Sequence, residues 1–401
     1  MKNPRLSRLF ALTVLCAAAG IALAAPPPIK KGPLIGGAPA KTVAAPAKTV
    51  AAPAKTVAAP ATPAPATPAP AKPVAAAKKA PPPRPVAAKP KPAVAAKKPS
   101  APVPPPQPAA VAGNGPRAPY RGAIAVDADS GRVLFADHEH TTAYPASVTK
   151  LMTFLLVLED IQAGRYTVQD YAFGSPLAAS MEPSKVDIRP GQKMTIHDLL
   201  LSIMVKSAND AAEVLAEHAA FIRSGGARNT PPNPTVKPED LRNAFIARMN
   251  RRAQELGMTS TRYASPNGLP PPRGSKRGFD VSTASDLVKL ARALVRMPMA
   301  LSYTSRAGCT VTDGNGKPLP LQNHNYFVPK NNDPKRLCTP VEGCDGLKTG
   351  YTAVSGSSIV LTARRRGRRV VVVVLGSAGR HEREAAAGRL LRDALDAVSI
   401  W

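Results

Sequence analysis

The pattern of apolar and polar residues changes abruptly near residue 119. Residues 25–118 consist almost wholly of Ala, Pro, Lys, Val and Thr, and Pro-Ala-Lys-Thr-Val-Ala-Ala occurs three times in succession over residues 39–59. Such a segment has no aromatic and few large aliphatic side chains to offset the chain entropy lost on folding. We therefore expect a disordered linker with polyproline-II character at 25–118 and a folded domain at 119–401.

Regular patterns begin after the linker. Alternating residues over 123–136 predict a β-hairpin that turns at Asp129-Ser-Gly131, and apolar positions from Leu151 to Leu158 predict a helix that begins near Ser147. Further helices are predicted at 197–220 (in two stretches), 243–257 and 283–297 and from about residue 382, and strands at 346–352, 357–364 and 368–375. This order predicts an α+β fold in which helices cover an antiparallel sheet.

The first 24 residues have the layout of a secretory signal peptide. Lys2, Arg5 and Arg8 precede an apolar run, and Ala22-Leu-Ala24 provides small residues for cleavage. An uncleaved membrane anchor shares these features and is the alternative. We expect an exported protein of the periplasm or cell-wall space, membrane-associated if the signal stays uncleaved.

Basic residues dominate the charge of the chain. The formal net charge is +28, and residues 25–118 contain fourteen Lys or Arg residues, while no Asp or Glu precedes Asp127. The lysines serve solubility or loose electrostatic contact with an anionic wall or membrane surface. Nucleic acid is not expected, because the protein is exported and aromatic residues are not interleaved with the basic ones.

Three cysteines remain once Cys16 leaves with the signal: Cys309, Cys338 and Cys344. In an oxidising compartment an odd number is most simply explained by one disulfide and one free thiol. Cys338 and Cys344 bracket a short loop that a bridge would stiffen, but pairing with Cys309 stays open.

Three short motifs suggest chemistry: Ser147-Val-Thr-Lys150, Ser207-Ala-Asn209 and Lys348-Thr-Gly350. A serine hydroxyl needs an adjacent base, and a lysine three residues later lies on the same helix face. Ser147 is therefore the candidate nucleophile and Lys150 its base. Asn209 offers an amide to Lys150 and to substrate. Lys348 and Thr349 suit a substrate carboxylate, and Gly350 permits close approach of the backbone.

The ordered trio resembles the low-molecular-mass penicillin-binding proteins, the D-alanyl-D-alanine carboxypeptidase family. The resemblance covers residues from about 119 to 401 and includes Tyr144-Pro-Ala-Ser-Val-Thr-Lys-Leu-Met-Thr153, Ser265-Pro-Asn-Gly-Leu269 and Gly346-Leu-Lys-Thr-Gly-Tyr-Thr352. It implies a transpeptidase/β-lactamase-like fold.

The resemblance also implies roles for further residues. Ser207 would relay a proton to the leaving amine, and the backbone amides of Ser147 and Tyr351 would form the oxyanion hole. Arg383 matches a family arginine near the terminal carboxylate of the substrate, although its sequence context also fits a surface helix residue.

The expected function is a serine D,D-carboxypeptidase that removes the terminal D-alanine from peptidoglycan pentapeptides, with β-lactams as covalent inhibitors. A D,D-endopeptidase of the same family, which cleaves cross-links, is the alternative, and a mainly wall-binding protein is a third. A β-lactamase is disfavoured because Ser207-Ala-Asn209 departs from Ser-Asp-Asn. No cofactor or metal is expected, since Asp137-His-Glu-His140 has no second ligand cluster.

Overall fold

The computed structural model describes residues 119–313 and 315–399. The predicted signal peptide at 1–24, the predicted linker at 25–118 and the end of the last predicted helix at residues 400–401 lie outside these ranges. Within the described part, none of the helices combines the length and the apolar character needed to cross a membrane.

Nine strands and eight α-helices follow one another in the described residues. The strands are β1 (Gly122–Asp127), β2 (Val133–Asp137), β3 (Tyr171–Phe173), β4 (Lys193–Thr195), β5 (Gly308–Thr312), β6 (Pro318–Gln322), β7 (Cys344–Thr352), β8 (Gly356–Arg365) and β9 (Arg368–Ser377). The helices are α1 (Lys150–Gln162), α2 (Pro176–Ala179), α3 (Ile196–Leu201), α4 (Asn209–Arg223), α5 (Pro238–Glu255), α6 (Ala284–Val295), α7 (Pro298–Thr304) and α8 (Arg380–Ser399).

The principal sheet has five strands in the order β2-β1-β9-β8-β7, and every pairing in it is antiparallel. The predicted hairpin at the start of the domain joins the three C-terminal strands because β1 pairs with β9, with Gly122 opposite Leu375 and Asp127 opposite Val370. The predicted α+β fold is confirmed. The two-stranded sheets β3–β4 and β5–β6 were not predicted.

Both faces of the sheet are covered. Along β9, Val370, Val372 and Val374 face α8, while the intervening apolar residues pack into the larger cluster formed with α1, α3, α4 and α6. A strand buried on both faces is a continuous apolar run rather than an alternating one, as the Val370–Leu375 segment is. Leu391 and Leu395 of α8 are fully buried against the sheet, which confirms core packing of this helix.

The predicted disulfide is wrong in this structure. Cys309, Cys338 and Cys344 are all free thiols. Cys344 is buried where β7 begins, and its thiol contacts the Gly346 carbonyl oxygen at 3.6 Å. Cys338 packs only at the edge of the same hydrophobic cluster. Both thiols are accommodated by packing, and burial raises the pKa of each to about 12.

Candidate active site

The candidate nucleophile Ser147 lies in a 3₁₀ turn, Ala146–Thr149, that leads directly into α1. Ala146 has a φ of +51°, so the chain changes direction just before the serine. A Cβ atom on Gly268 would lie 1.9 Å from the Ala146 carbonyl oxygen. Only glycine therefore lets the loop of Gly268 pack against this turn.

Lys150, the first residue of α1, is completely buried and has three polar neighbours. Its Nζ atom lies 3.0 Å from Ser147 Oγ, 2.6 Å from Asn209 Oδ1 and 2.6 Å from the Asn267 carbonyl oxygen. None of these acceptors carries a formal charge. A neutral amine can donate its two hydrogens to the two carbonyl-type oxygens, which leaves its lone pair for the Ser147 hydroxyl.

The surroundings of Lys150 favour this neutral form. Burial lowers the pKa of Lys150 well below its ordinary value, and the charge of Lys348 lowers it further. Asp280 and Asp210 act in the opposite direction but do not outweigh the desolvation. The predicted pair of Ser147 and Lys150 is thus brought together in a geometry suited to proton removal.

The second motif follows a π-helical turn, Ser202–Lys206, that ends at Ser207 with a φ of +65°. Ser207 is 7% exposed and lines the active-site cleft. The amide nitrogen of the Asn209 side chain is also fixed, because Nδ2 donates to the Glu182 carbonyl oxygen at 2.7 Å. This bond leaves Oδ1 directed at Lys150.

The Asn267 carbonyl is fixed by a buried network around Asp280. Ser265 Oγ donates to Asp280 Oδ2 at 2.6 Å and accepts from the Gly268 amide at 2.8 Å. The Asn267 side chain donates to Glu213 Oε2 at 3.3 Å and accepts from the Leu269 amide at 2.9 Å. The segment Ser265–Leu269 therefore presents one backbone oxygen to Lys150 with little freedom to move.

The third motif lies on β7 directly beside the nucleophile. A Cβ atom on Gly350 would be 2.6 Å from the Pro145 carbonyl oxygen and 3.2 Å from the Ser147 amide nitrogen. The absence of a side chain at Gly350 thus allows the strand to reach the 3₁₀ turn. The first N–H groups of a helix lack intrahelical partners, and the Ser147 amide occupies such a position beside Gly350.

Two basic side chains, Lys348 and Arg383, lie near the third motif. Lys348 is buried, its Nζ donates to the Thr349 carbonyl oxygen at 2.8 Å, and burial together with the charge of Arg383 lowers its pKa to about 7. Arg383 is 4% exposed, lines the cleft, contacts Glu384 and lies 3.5 Å from the Ser358 carbonyl oxygen. Arg383 is therefore not a surface helix residue.

These residues surround one cleft of about 590 Å³. Eight of the nine predicted site residues meet there: Ser147, Ser207, Asn209, Thr349, Gly350, Tyr351 and Arg383 line it, and Lys150 contacts Ser147 from below. Lys348 lies behind the lining, against Thr349. An acyl enzyme could form here, because the serine hydroxyl, the buried lysine amine and the basic side chains converge on one space.

The sequence profile of the D-alanyl-D-alanine carboxypeptidase family matches residues 112–229 and 241–379 of this chain. The chain belongs to this family. D-alanyl-D-alanine carboxypeptidase DacF of Bacillus subtilis is 30% identical over 271 residues, which are 68% of this chain and 61% of that protein. The D-alanyl-D-alanine endopeptidase of Escherichia coli is 28% identical over 271 residues, 67% of this chain and 74% of that protein.

Solved structures of family members have the same fold. Penicillin-binding protein 6B from Escherichia coli superimposes with a TM-score of 0.55 at 27% identity and covers 70% of this chain and 78% of its own. Penicillin-binding protein D2 from Listeria monocytogenes, in its ampicillin-bound form, gives a TM-score of 0.52 at 25% identity, with 70% and 99% covered. The chain spans about 61% of the length of the Bacillus subtilis relative.

Several residues at this family site were not assigned by sequence reasoning. Ser265-Pro-Asn-Gly-Leu269 was noted only as a resemblance, yet its Asn267 carbonyl is one of three contacts of Lys150. Asp333, Lys335 and Arg380 line the outer cleft, and Arg380 lies 5.5 Å from the centre of the exposed Tyr351 ring. These residues lie in a loop or at the start of a helix, where the sequence has no periodic pattern from which their place in the cleft could be predicted.

The imidazole rings of His138 and His140 each lie beside a neighbouring carboxylate. His138 lies 3.5 Å from Asp137 and His140 lies 3.3 Å from Glu139. Among the residues that the structure describes, no group of three His, Cys, Asp or Glu side chains is arranged to hold a metal ion.

Proposed function

We propose that this protein is a serine D,D-carboxypeptidase that releases the terminal D-alanine of peptidoglycan pentapeptides. The observation that carries the proposal is the buried Lys150 amine, 3.0 Å from Ser147 Oγ and otherwise bonded only to uncharged oxygens. Membership of the D-alanyl-D-alanine carboxypeptidase family gives the substrate class.

In the proposed first half-reaction, Lys150 takes the Ser147 hydroxyl proton as the oxygen attacks the carbonyl carbon between the two D-alanines. The backbone amides of Ser147 and Tyr351 stabilise the oxyanion. Ser207, at the cleft wall, passes a proton to the leaving amine, and free D-alanine departs. Water then attacks the acyl enzyme and regenerates Ser147.

Substrate orientation depends on the positive end of the cleft. Thr349 offers a hydroxyl, while Lys348 and Arg383 supply charge for the terminal carboxylate of the peptide. A bound carboxylate would favour protonated Lys348, whose pKa of about 7 lets its charge respond to the ligand near neutral pH.

A D,D-endopeptidase is the second candidate, because the relatives include an Escherichia coli protein named for that activity. An endopeptidase cleaves a peptide cross-link, in which the leaving amine belongs to a second peptide chain. The buried Arg383 favours a free terminal carboxylate and hence the carboxypeptidase.

We also propose that the protein acts outside the cytoplasm, in the periplasm or cell-wall space. This proposal rests on the signal-like residues 1–24 and on the peptidoglycan substrate. The basic residues of 25–118 would hold it loosely near anionic wall or membrane surfaces. By analogy with the ampicillin-bound Listeria monocytogenes protein, β-lactams should acylate Ser147.

The test is incubation of the purified mature protein with a pentapeptide muropeptide and with a cross-linked dimer, followed by mass spectrometry. Loss of one alanine from the pentapeptide supports the carboxypeptidase, whereas cleavage of the dimer alone replaces it with the endopeptidase. Ser147→Ala is the matched control and should release nothing. Alanine release by that variant would overturn the mechanism.

A further inference from the structure

The C-terminal end of α1 carries a second charged cluster, separate from the active-site cleft. Asp160 is 1% exposed, and arginines from three segments contact it. Arg165 Nε lies 3.1 Å from its carboxylate, Arg223 Nη1 lies 2.8 Å away, and Arg248 contacts it through Nη1 at 2.5 Å and Nη2 at 3.0 Å. Three positive charges thus converge on one negative charge.

Arg165 and Arg223 retain unused donors, whereas Arg248 already makes three hydrogen bonds, two to Asp160 and one to the Leu156 carbonyl oxygen. A guanidinium has five N–H groups. Arg165 and Arg223 each direct one hydrogen bond to Asp160 in the described contacts, and their side chains are 41% and 38% exposed. Asp160 therefore fixes the orientation of both groups while most of their N–H bonds remain open to a ligand. Such pre-ordering lowers the entropy cost of binding an anion.

Three adjoining clefts lead to this cluster, with volumes of about 280, 370 and 220 Å³, and Arg223 lines all of them. Arg248 and Arg251 line two of the three. Arg251 is exposed and has no ion pair among the described residues. The nearby carboxylates Glu159 and Glu255 share Arg252 at 2.9 Å, and Glu159 also lies 4.0 Å from Arg248. The five arginines and three carboxylates of this region still leave an excess of two positive charges.

We propose that Arg223, Arg248 and Arg251 form an oxyanion site for phosphate groups. Guanidinium groups that approach from α4 and α5 suit a tetrahedral phosphate group, which has several oxygens and carries negative charge against the excess positive charge. Asp160 is ten residues after Lys150, so at 1.5 Å per residue the site is about 15 Å along α1 from the catalytic lysine. Its ligand is distinct from the peptide substrate.

Phosphate can come from a soluble phosphate chain or from the headgroup of an anionic phospholipid. Both present negatively charged, non-bridging phosphate oxygens to the arginines, so the site chemistry is shared. The basic composition of residues 25–118 would bring the protein near either source by long-range attraction. The arginine site would then add a saturable contact of defined stoichiometry.

The test is calorimetric titration of the mature protein with inorganic phosphate at low ionic strength. Arg223→Gln/Arg251→Gln should weaken a saturable one-to-one interaction by about tenfold or more, because charge-assisted hydrogen bonds are lost. The matched control is Arg364→Gln/Arg366→Gln, which removes the same charge from exposed positions around the β8–β9 turn. Equal affinity in all variants, or heat that never saturates, would overturn the proposal.

A single variant and an acylation assay separate loss of phosphate binding from loss of folding. Arg251→Gln alone leaves the Asp160 network intact, so weaker phosphate binding in this variant supports the site even if the double variant unfolds. Penicillin acylation of Ser147 should be unchanged in all of them, which separates this proposal from the enzymatic one. Sedimentation with phosphatidylglycerol vesicles and titration with polyphosphate, each repeated with Arg251→Gln, then identify the source of the phosphate.

Discussion

Helix α1 has a buried ionisable residue near each end, and the partners of the two residues differ in charge. At the N-terminal end, Lys150 contacts a hydroxyl and two uncharged oxygens. At the C-terminal end, Asp160 contacts three arginines. Burial lowers the pKa of Lys150 well below its ordinary value. The partners of Asp160, by contrast, are guanidinium groups that carry the opposite charge.

The difference shows how one helix supports both chemistry and stability. A lysine held neutral can take a proton from Ser147, so its partners must lack negative charge. Asp160 instead joins the loop after α1 to α4 and α5 through hydrogen bonds from three arginines. Buried polar residues of this domain are therefore best interpreted from the charge of their partners.

The largest expected effect comes from removing the base. Lys150→Met keeps a side chain of similar length but has no amine, and we expect the rate of Ser147 acylation by a labelled penicillin to fall on the order of 10³-fold. Intact-protein mass spectrometry over time measures it. Lys193→Met, at an exposed lysine of β4, is the control and should keep the parent rate. Unchanged acylation in Lys150→Met would remove the lysine from the mechanism.

The next effect concerns stability at the other end of α1. Asp160→Asn preserves shape but leaves three arginines without their common counter-charge, and the free energy of unfolding should fall by about 3 kcal/mol. The control, Asp396→Asn, breaks a surface pair in which Asp396 is 68% exposed, and it should cost under about 1 kcal/mol. Denaturant unfolding of both variants decides the matter, since equal losses would show that burial of Asp160 adds nothing.

A smaller, pH-dependent effect is expected at Glu217, a buried carboxyl that accepts from Ser175 Oγ at 2.8 Å. Burial and the neighbouring Glu213 raise its pKa from 4.5 to about 8. Between these values the folded state binds more protons than the unfolded state, so stability falls as pH rises. Glu217→Gln should make this decline shallower and raise the free energy of unfolding at pH 8. Part of the decline remains, because burial also raises the pKa of Glu213, to about 7.

Unfolding measured at pH 5 and pH 8 tests this sign. Glu255→Gln, at a side chain that is 57% exposed, should leave the pH dependence unchanged. A Glu217→Gln variant whose stability declines with pH as steeply as the parent would show that this carboxyl does not titrate in the folded state as described.

Local sequence patterns predicted the pairing of Ser147 with Lys150, but they did not predict the contacts that Lys150 makes with distant parts of the chain. The spacing of Ser147 and Lys150 and the apolar residues that follow predicted a helix with both side chains on one face, and the Nζ–Oγ distance of 3.0 Å agrees. The Asn267 carbonyl could not be predicted in this way. It is a backbone atom 117 residues away, brought to Lys150 by tertiary packing.

Long-range contacts also account for what sequence reasoning got wrong or missed. The disulfide was inferred from an odd cysteine count and a short spacing, but spacing does not determine whether two thiols face each other. The Asp160 cluster joins residues from three separate segments, none of which forms a motif. The sequence context of Arg383 fitted either a surface position or a position in the cleft. Only the packing of α8 shows that this residue is buried.

The most direct test of a neutral Lys150 is the pH dependence of Ser147 acylation in the parent protein and in Asn209→Asp. This variant places a carboxylate beside Lys150, as at the other end of α1. We predict that the parent rate rises along a limb whose midpoint lies well below pH 10.5, and that Asn209→Asp moves this midpoint upward by about two units. Superimposable limbs would contradict the claim that uncharged partners keep Lys150 available as a base.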